Sequence, residues 1–398
     1  APGRRSIATW EAGAQPEGDI WILDTETRPL PPGQAAEQIR TLCAPHIGRC
    51  QRLYKKVDST FRGNVGAELA ALHALTGQRI LLAPAFPAQG RVVRDGCLWV
   101  QGKLAPAPGP LVPWFAAQSG LACHLLPLRM VRKGPETLAS FLPACAEPAV
   151  IAEAETEEDV HALALALARL GEAWLPAGSA GLAAHLAAAW GLSAAQPVPL
   201  PKAGGPLLWV AGSRQPVLGD QLAALARERR VTRVDRLLGG LLTSGEEVVA
   251  AKARELAAAL QTGDAVLTPW GEPKIAGGER RTAALLGEIV LRAHGHGAVG
   301  GLVLTGGDVA LAVCQALEAG AIAVGGIVLP GIPWGRLLGG VADGTLIVTK
   351  AGGFGGEDVF CRIAGELIET GGDLWESTGT GRSAASSEIP RVPSSSHE

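Results

Sequence analysis

Between Lys55 and Asn64 the chain reads KKVDSTFRGN, with two lysines, an aspartate, an arginine and an asparagine in ten residues. These residue types suit the recognition of a small anion. Arg62 can grip a carboxylate through two parallel N–H bonds, Lys56 adds charge, and Ser59 offers a hydroxyl. Asp58 can orient or deprotonate a substrate hydroxyl. The same composition also suits a polar loop whose Asp or Asn caps the following helix. Asp24 and Arg28, in ILDTETR, close another strand and are expected to line the same crevice. Arg91, in Gln89-Gly90-Arg91, is a further candidate anion contact.

A second kind of chemistry is written in three glycine turns of the C-terminal half: Gly212-Ser213-Arg214, Thr305-Gly306-Gly307-Asp308 and Gly352-Gly353-Phe354-Gly355. Each follows an apolar, strand-like run. Glycine allows close backbone approach, and a helix N-terminus presents free N–H groups and a favourable dipole to anions. If the strands are parallel, the turns share one sheet edge and can converge on a polyphosphate. Ser213 could add its hydroxyl. Asp308 either caps its helix or holds Mg2+ beside phosphate oxygens. Lys350 either neutralises phosphate or is a solvated strand end. Neither GxxxxGK[ST] nor a strand-linked GxGxxG is present, which excludes a P-loop and disfavours a dinucleotide fold.

The elements that must position these residues alternate. In the first half, strands are predicted at 19–25, 79–84, 149–153 and 172–176, and helices at 32–47, 65–75, 156–170 and from 180 through Trp190. Arg91–Val93 and Cys97–Val100 flank Asp95-Gly96, a strong hairpin signal. The Pro-rich stretch 103–120 reads as a surface loop. Residues 192–205 have linker composition. Beyond them, strands are predicted at 207–210, 231–234, 264–268, 301–304, 322–329 and 345–349. Helices are predicted at 215–229, 245–260 and 280–294, with another opening at Asp308 and a PGIPWG turn at 330–335. This implies an α/β protein of two domains, each a largely parallel sheet flanked by helices, with the site in the cleft between them. The expected division is 1–196, a linker 197–205, 206–376, and a disordered tail 377–398.

Composition narrows the function classes. At 398 residues, two domains are the natural expectation. Hydrophobic residues at 47% supply large cores, and a net charge of −3 leaves no basic field for nucleic acid or an anionic membrane. Seven scattered cysteines without a CxxC pair point to a reducing, cytoplasmic setting. No apolar run is long enough to span a bilayer. Ten tryptophans would allow some to be buried in a homodimer.

Taken together, KKVDSTFRGNVGAEL, ILDTETR, APAFPAQGR, IAEAETEEDV, GSAGLAAHLA, the GSR turn, LTGGDVA, VLPGIPWGRLLGG and TKAGGFGGED resemble, in order and spacing, the four-carbon acid sugar kinase family over residues 19–365. The resemblance implies a sugar-acid-binding N-terminal domain, a nucleotide-binding C-terminal domain, and phosphoryl transfer from ATP, with Mg2+, to a terminal hydroxyl. It puts Asp24, Lys56, Asp58, Ser59, Arg62 and Arg91 on the substrate side, with Asp58 and Arg62 nearest the chemistry. Ser213, Thr305, Gly306, Gly307, Asp308, Lys350, Gly352, Gly353 and Gly355 fall on the nucleotide side. One departure stands out. Family members usually open with a strand ending Asp-Asp-x-Thr-Gly-Ala, and no such segment occurs here. The expectation is therefore a kinase whose first strand, loop and helix are missing, with a non-catalytic binding relative or a kinase for another small hydroxy acid as alternatives.

Overall fold

The computed structural model describes residues 6–10, 18–192, 198–235, 245–273, 278–295 and 299–368. The expected tail at 377–398 lies outside the described residues. The strands of the first half are β1 (Ser6–Thr9), β2 (Ile20–Leu23), β3 (Lys55–Lys56), β4 (Arg79–Ala83), β5 (Arg91–Arg94), β6 (Cys97–Val100), β7 (Lys103–Leu104), β8 (Cys123–Leu126), β9 (Ala149–Ala152) and β10 (Trp174–Gly178). Five of these form a parallel sheet in the order β3-β10-β4-β9-β8. Its central strands are buried along their lengths, as expected of strands covered by helices on both faces. The hairpin forms as read, with Asp95 and Gly96 both at positive φ (50° and 67°), and β7 extends it to three strands.

The second half contributes β11 (Leu207–Ala211), β12 (Val231–Val234), β13 (Asp264–Leu267), β14 (Gly301–Thr305), β15 (Ala321–Leu329), β16 (Ile332–Leu338) and β17 (Leu346–Lys350). The sheet order is β12-β13-β11-β14-β17-β16-β15-β1-β2. The first five are mutually parallel, so β11, β14 and β17 are adjacent and end at the same edge. This is the geometry the three glycine turns require. Helices Val217–Glu228, Glu279–His294, Gly307–Ala316 and Val359–Leu367 pack over this sheet, and apolar cores lie on both of its faces.

Three local readings change. Residues 111–119 form a helix, not a loop, with Leu111 and Phe115 fully buried. Proline in a first turn removes no helical hydrogen bond, and burying two such side chains contributes roughly 1.5–3 kcal/mol each. The PGIPWG stretch turns only at Pro330-Gly331; Ile332 onward is β16, antiparallel to both neighbours. Finally, β1 and β2 are hydrogen-bonded not to the first-half sheet but to the edge of the second, where β1 runs antiparallel to β15. The residues following β2 are thereby delivered to the second-half sheet.

Candidate functional site

The loop after β3 assembles the first half of the site. Its helix, Val65–Thr76, starts at Asn64, whose side chain caps nothing and instead donates to the carbonyls of Thr27 and Leu30. That ties the loop to the ILDTETR segment. Asp58 accepts from Thr60 through backbone N–H (2.8 Å) and hydroxyl (2.5 Å), from Arg62 Nη2 at 2.7 Å and Nε at 3.1 Å, and from Arg28 Nη2 at 3.4 Å. Arg91 Nη1 donates to Ser59 Oγ at 2.6 Å, while the buried Arg91 Nε has no partner. Lys55 pairs with the buried Glu68 at 2.6 Å. Five cations (Arg28, Lys55, Lys56, Arg62, Arg91) thus face two carboxylates, Asp58 and Glu68. The Lys56 ammonium is pushed below the usual lysine value by desolvation; Asp58 opposes the shift, and Arg28, Lys55 and Arg91 reinforce it. A site with this surplus of positive charge is complementary to an anion.

Asp58 itself is tightly held. Burial would raise its pKa, but the hydrogen bonds from Arg62 and Thr60 outweigh burial and leave the carboxyl well below its ordinary value of 3.8. Such a group suits fixing a guanidinium better than accepting a proton. A depressed folded pKa means stability that is present above the unfolded value and lost as pH falls through the folded one. The melting-temperature difference between wild type and Asp58→Asn should therefore be constant near neutrality and shrink once pH drops below about 4. A difference unchanged down to the acid unfolding limit would contradict this.

The glycine turns assemble the second half. Gly306 N donates to the Lys350 carbonyl at 2.9 Å, joining the turn after β14 to the end of β17. A Cβ at Gly352 would lie 2.8 Å from Ser213 Cβ and closer still to its hydroxyl, so the turns after β11 and β17 touch. Gly355 has φ +82°, and a Cβ there would lie 2.7 Å from Val359 Cγ2. Thr305 is buried, and its hydroxyl has no partner. Gly307 has open space around it. Asp308 is not a helix cap: the helix Gly307–Ala316 is capped at Gly306, and Asp308 sits exposed in its first turn. Lys350 is neither a solvated strand end nor open to solvent. It is 2% exposed, and its ammonium donates to the carbonyls of Ala351, Gly352 and Phe354.

The two halves meet at a cleft of about 370 Å3 lined by Asp24, Glu26 and Gln38 on one side and by Arg280, Asp308 and Gln315 on the other. Asp24, expected beside Asp58, instead lines this cleft and accepts from Glu26 N at 3.2 Å. Glu26 is at φ 49°, uncommon for a residue with a side chain. Desolvation raises its pKa, Asp24 and Asp308 add to the rise, and Arg280 and Arg28 oppose it. Two residues further on, a reach of at most about 7 Å, Arg28 contacts Asp58. One short segment therefore links the cationic cluster to the cleft that Asp308 lines. Glu26 and Arg280 were not singled out from sequence, and nothing in their spacing marks them. Among the described residues no group of three or more His, Cys, Asp or Glu side chains is arranged to hold a metal. All seven cysteines are free, and no helix among the described residues is long and apolar enough to cross a membrane.

Residues 3–186 match the family model of a sugar-binding N-terminal domain, and residues 208–360 match that of a nucleotide-binding C-terminal domain. Fold, site and matches together define a two-domain phosphotransferase that pairs a sugar-type ligand with a nucleotide. Among curated proteins, the D-threonate kinase of Cupriavidus necator is 37% identical over 382 residues, covering 89% of this chain and 90% of the relative. The D-threonate kinase of Bordetella bronchiseptica is 35% identical over 367 residues, covering 89% and 87%. The chain belongs to the four-carbon acid sugar kinase family. A solved structure from Salmonella typhimurium LT2 shares the fold, with a TM-score of 0.77 at 24% identity over 92% of this chain and 94% of that one.

Proposed function

We propose that the protein is an ATP-dependent kinase acting on a terminal hydroxyl of a four-carbon sugar acid of the threonate, erythronate or 3-oxo-tetronate type. The observation that carries this reading is that the five residues Asp24–Arg28 run from the cationic cluster into a cleft whose other wall includes Asp308, in the first turn of the helix that follows the β14 glycine turn. Two relatives above one-third identity are named D-threonate kinases, which makes threonate the first acid to try.

In this reading Arg91, Ser59 and Lys56 hold the substrate carboxylate, with Arg28 and Arg62 kept in place by Asp58. The glycine turns receive the ATP phosphates on backbone N–H groups. The terminal hydroxyl oxygen attacks the γ-phosphorus, the bond to the β-phosphate oxygen breaks, and ADP leaves. Glu26 is the cleft carboxylate best suited to take the hydroxyl proton, because its surroundings raise its basicity. Mg2+ carried on the phosphates beside Asp308 would neutralise charge that builds on the transferred group. Catalysis of this kind rests on positioning and charge neutralisation.

An ADP-release assay over D-threonate, D-erythronate and 3-oxo-tetronate, with and without MgCl2, tests the reading. Turnover with at least one of these acids, dependent on ATP, is the expected result. Ligand-induced thermal stabilisation without ADP release from any acid would instead identify a binding relative.

A further inference from the structure

The loop after β17 has an unusual arrangement of its carbonyls. Lys350 Nζ donates to the carbonyls of Ala351 (3.0 Å), Gly352 (3.4 Å) and Phe354 (3.0 Å). Gln221, fully buried on the helix Val217–Glu228, aims its Nε2 at the carbonyls of Phe354 (3.1 Å), Gly355 (3.2 Å) and Gly356 (3.1 Å). Two buried side chains thus gather five successive or near-successive carbonyls on one side of the loop.

A trans peptide is planar, and its C=O and N–H point in opposite directions. Collecting the carbonyls of 351, 352, 354, 355 and 356 inward therefore turns the N–H groups of Gly352, Gly353, Gly355, Gly356 and Glu357 outward. None of these five N–H groups has an acceptor among the described residues. The loop surface is exposed at Gly353 and at 355–357, so these donors face open space. Outward N–H groups in succession form a concave anion-binding surface. The cost of burying an ammonium is offset by three carbonyls and by the Phe360 ring, whose centroid lies 5.5 Å from Nζ.

We propose that Lys350 and Gln221 are positioning residues: a carbonyl clamp that holds the backbone N–H groups of 352–357 outward to grip the phosphates of the nucleotide. The inference rests on the nucleotide reading of this half and assigns Lys350 a role behind the loop in place of direct contact with phosphate. Burial accounts for a Lys350 pKa lowered to about 8, in keeping with an amine enclosed by the loop it holds.

The test compares wild type, Lys350→Met, Lys350→Arg and Gln221→Leu by calorimetric titration with ADP and, separately, with D-threonate. Lys350→Met and Gln221→Leu are each expected to weaken ADP binding at least 10-fold while threonate affinity stays within about twofold. Lys350→Arg, which keeps the charge and several donors, is expected to recover part of the ADP affinity. A purely structural role would lower the melting temperature without this split between ligands. Wild-type ADP affinity in Lys350→Met and Gln221→Leu would overturn the clamp while leaving the nucleotide reading intact. Failure of the wild type itself to bind ADP would overturn both. If the variants do not fold, amide hydrogen exchange on the wild type decides. Residues 352, 353 and 355–357 are expected to exchange freely alone and gain protection with ADP, and no gain would overturn the clamp.

Discussion

Replacing Arg91 with methionine is expected to weaken sugar-acid binding by about 10- to 100-fold, the equivalent of one charge-assisted hydrogen-bonding group. The KM for ATP should stay within about twofold. Arg91 is anchored at one end by Ser59, yet its Nε is buried without a partner. A buried donor left unsatisfied costs roughly 1–3 kcal/mol. The free protein therefore bears a cost that replacing the guanidinium removes. It follows that Arg91→Met should melt no lower than wild type even as it loses the substrate. A variant that lost stability and ligand together would mean that Arg91 serves the hairpin, where it opens β5 and bridges to Phe86, and not the ligand. Calorimetric titration beside a melting curve separates the outcomes.

Gly352→Ala is expected to be as damaging on the other side, lowering ADP affinity by about 10- to 100-fold, the scale of losing one hydrogen bond to a charged group. Threonate affinity should be unaffected. The Cβ of the variant would stand 2.8 Å from Ser213 Cβ, and main chain must move to relieve that contact. The turns after β11 and β17 would be pushed apart. The physical cause can be isolated with Ser213→Gly in the same chain. Removing the side chain that is struck should return part of the affinity, a positive coupling between residues in contact. If the double variant binds ADP no better than Gly352→Ala, the steric account fails.

Much of this architecture was legible in local sequence signals. The hairpin followed from Asp95-Gly96 between apolar runs, since few other residues accept positive φ at both turn positions. The helix at 157–170 was announced by its acidic first turn, as the helix dipole prefers, and in the structure Thr156 and Asp159 add a capping box. The helix at 111–119 was hidden because its prolines, at 110 and 113, read as breakers. In a first turn they break nothing. β16 was hidden for a related reason: Pro330-Gly331 is a turn signal, and the apolar residues beyond it were absorbed into that turn. The pairing of β1 with β15, which brings β2 along on its outer side, had no local signal, because strand partners distant in sequence are chosen by the packed surface and not by either segment alone.

The site divides along the same line. The residue types alone determined that the chain carries a cation-rich loop at 55–64 and three glycine turns after apolar runs, a composition that suits an anion and equally suits polar loops and tight backbone turns. Which partners those residues take was decided only in the tertiary structure. Asp58 looks like a base in sequence, but three neighbours hold it as a low-pKa anchor. Asp308 looks like a cap, yet Gly306 occupies the cap and leaves the carboxylate at the cleft. Lys350 looks like a phosphate ligand, but folding buries it among carbonyls. The reason is common to all three. A charged side chain's chemistry depends on which dipoles and charges surround it and how much water remains, and folding brings those neighbours from distant positions in the chain.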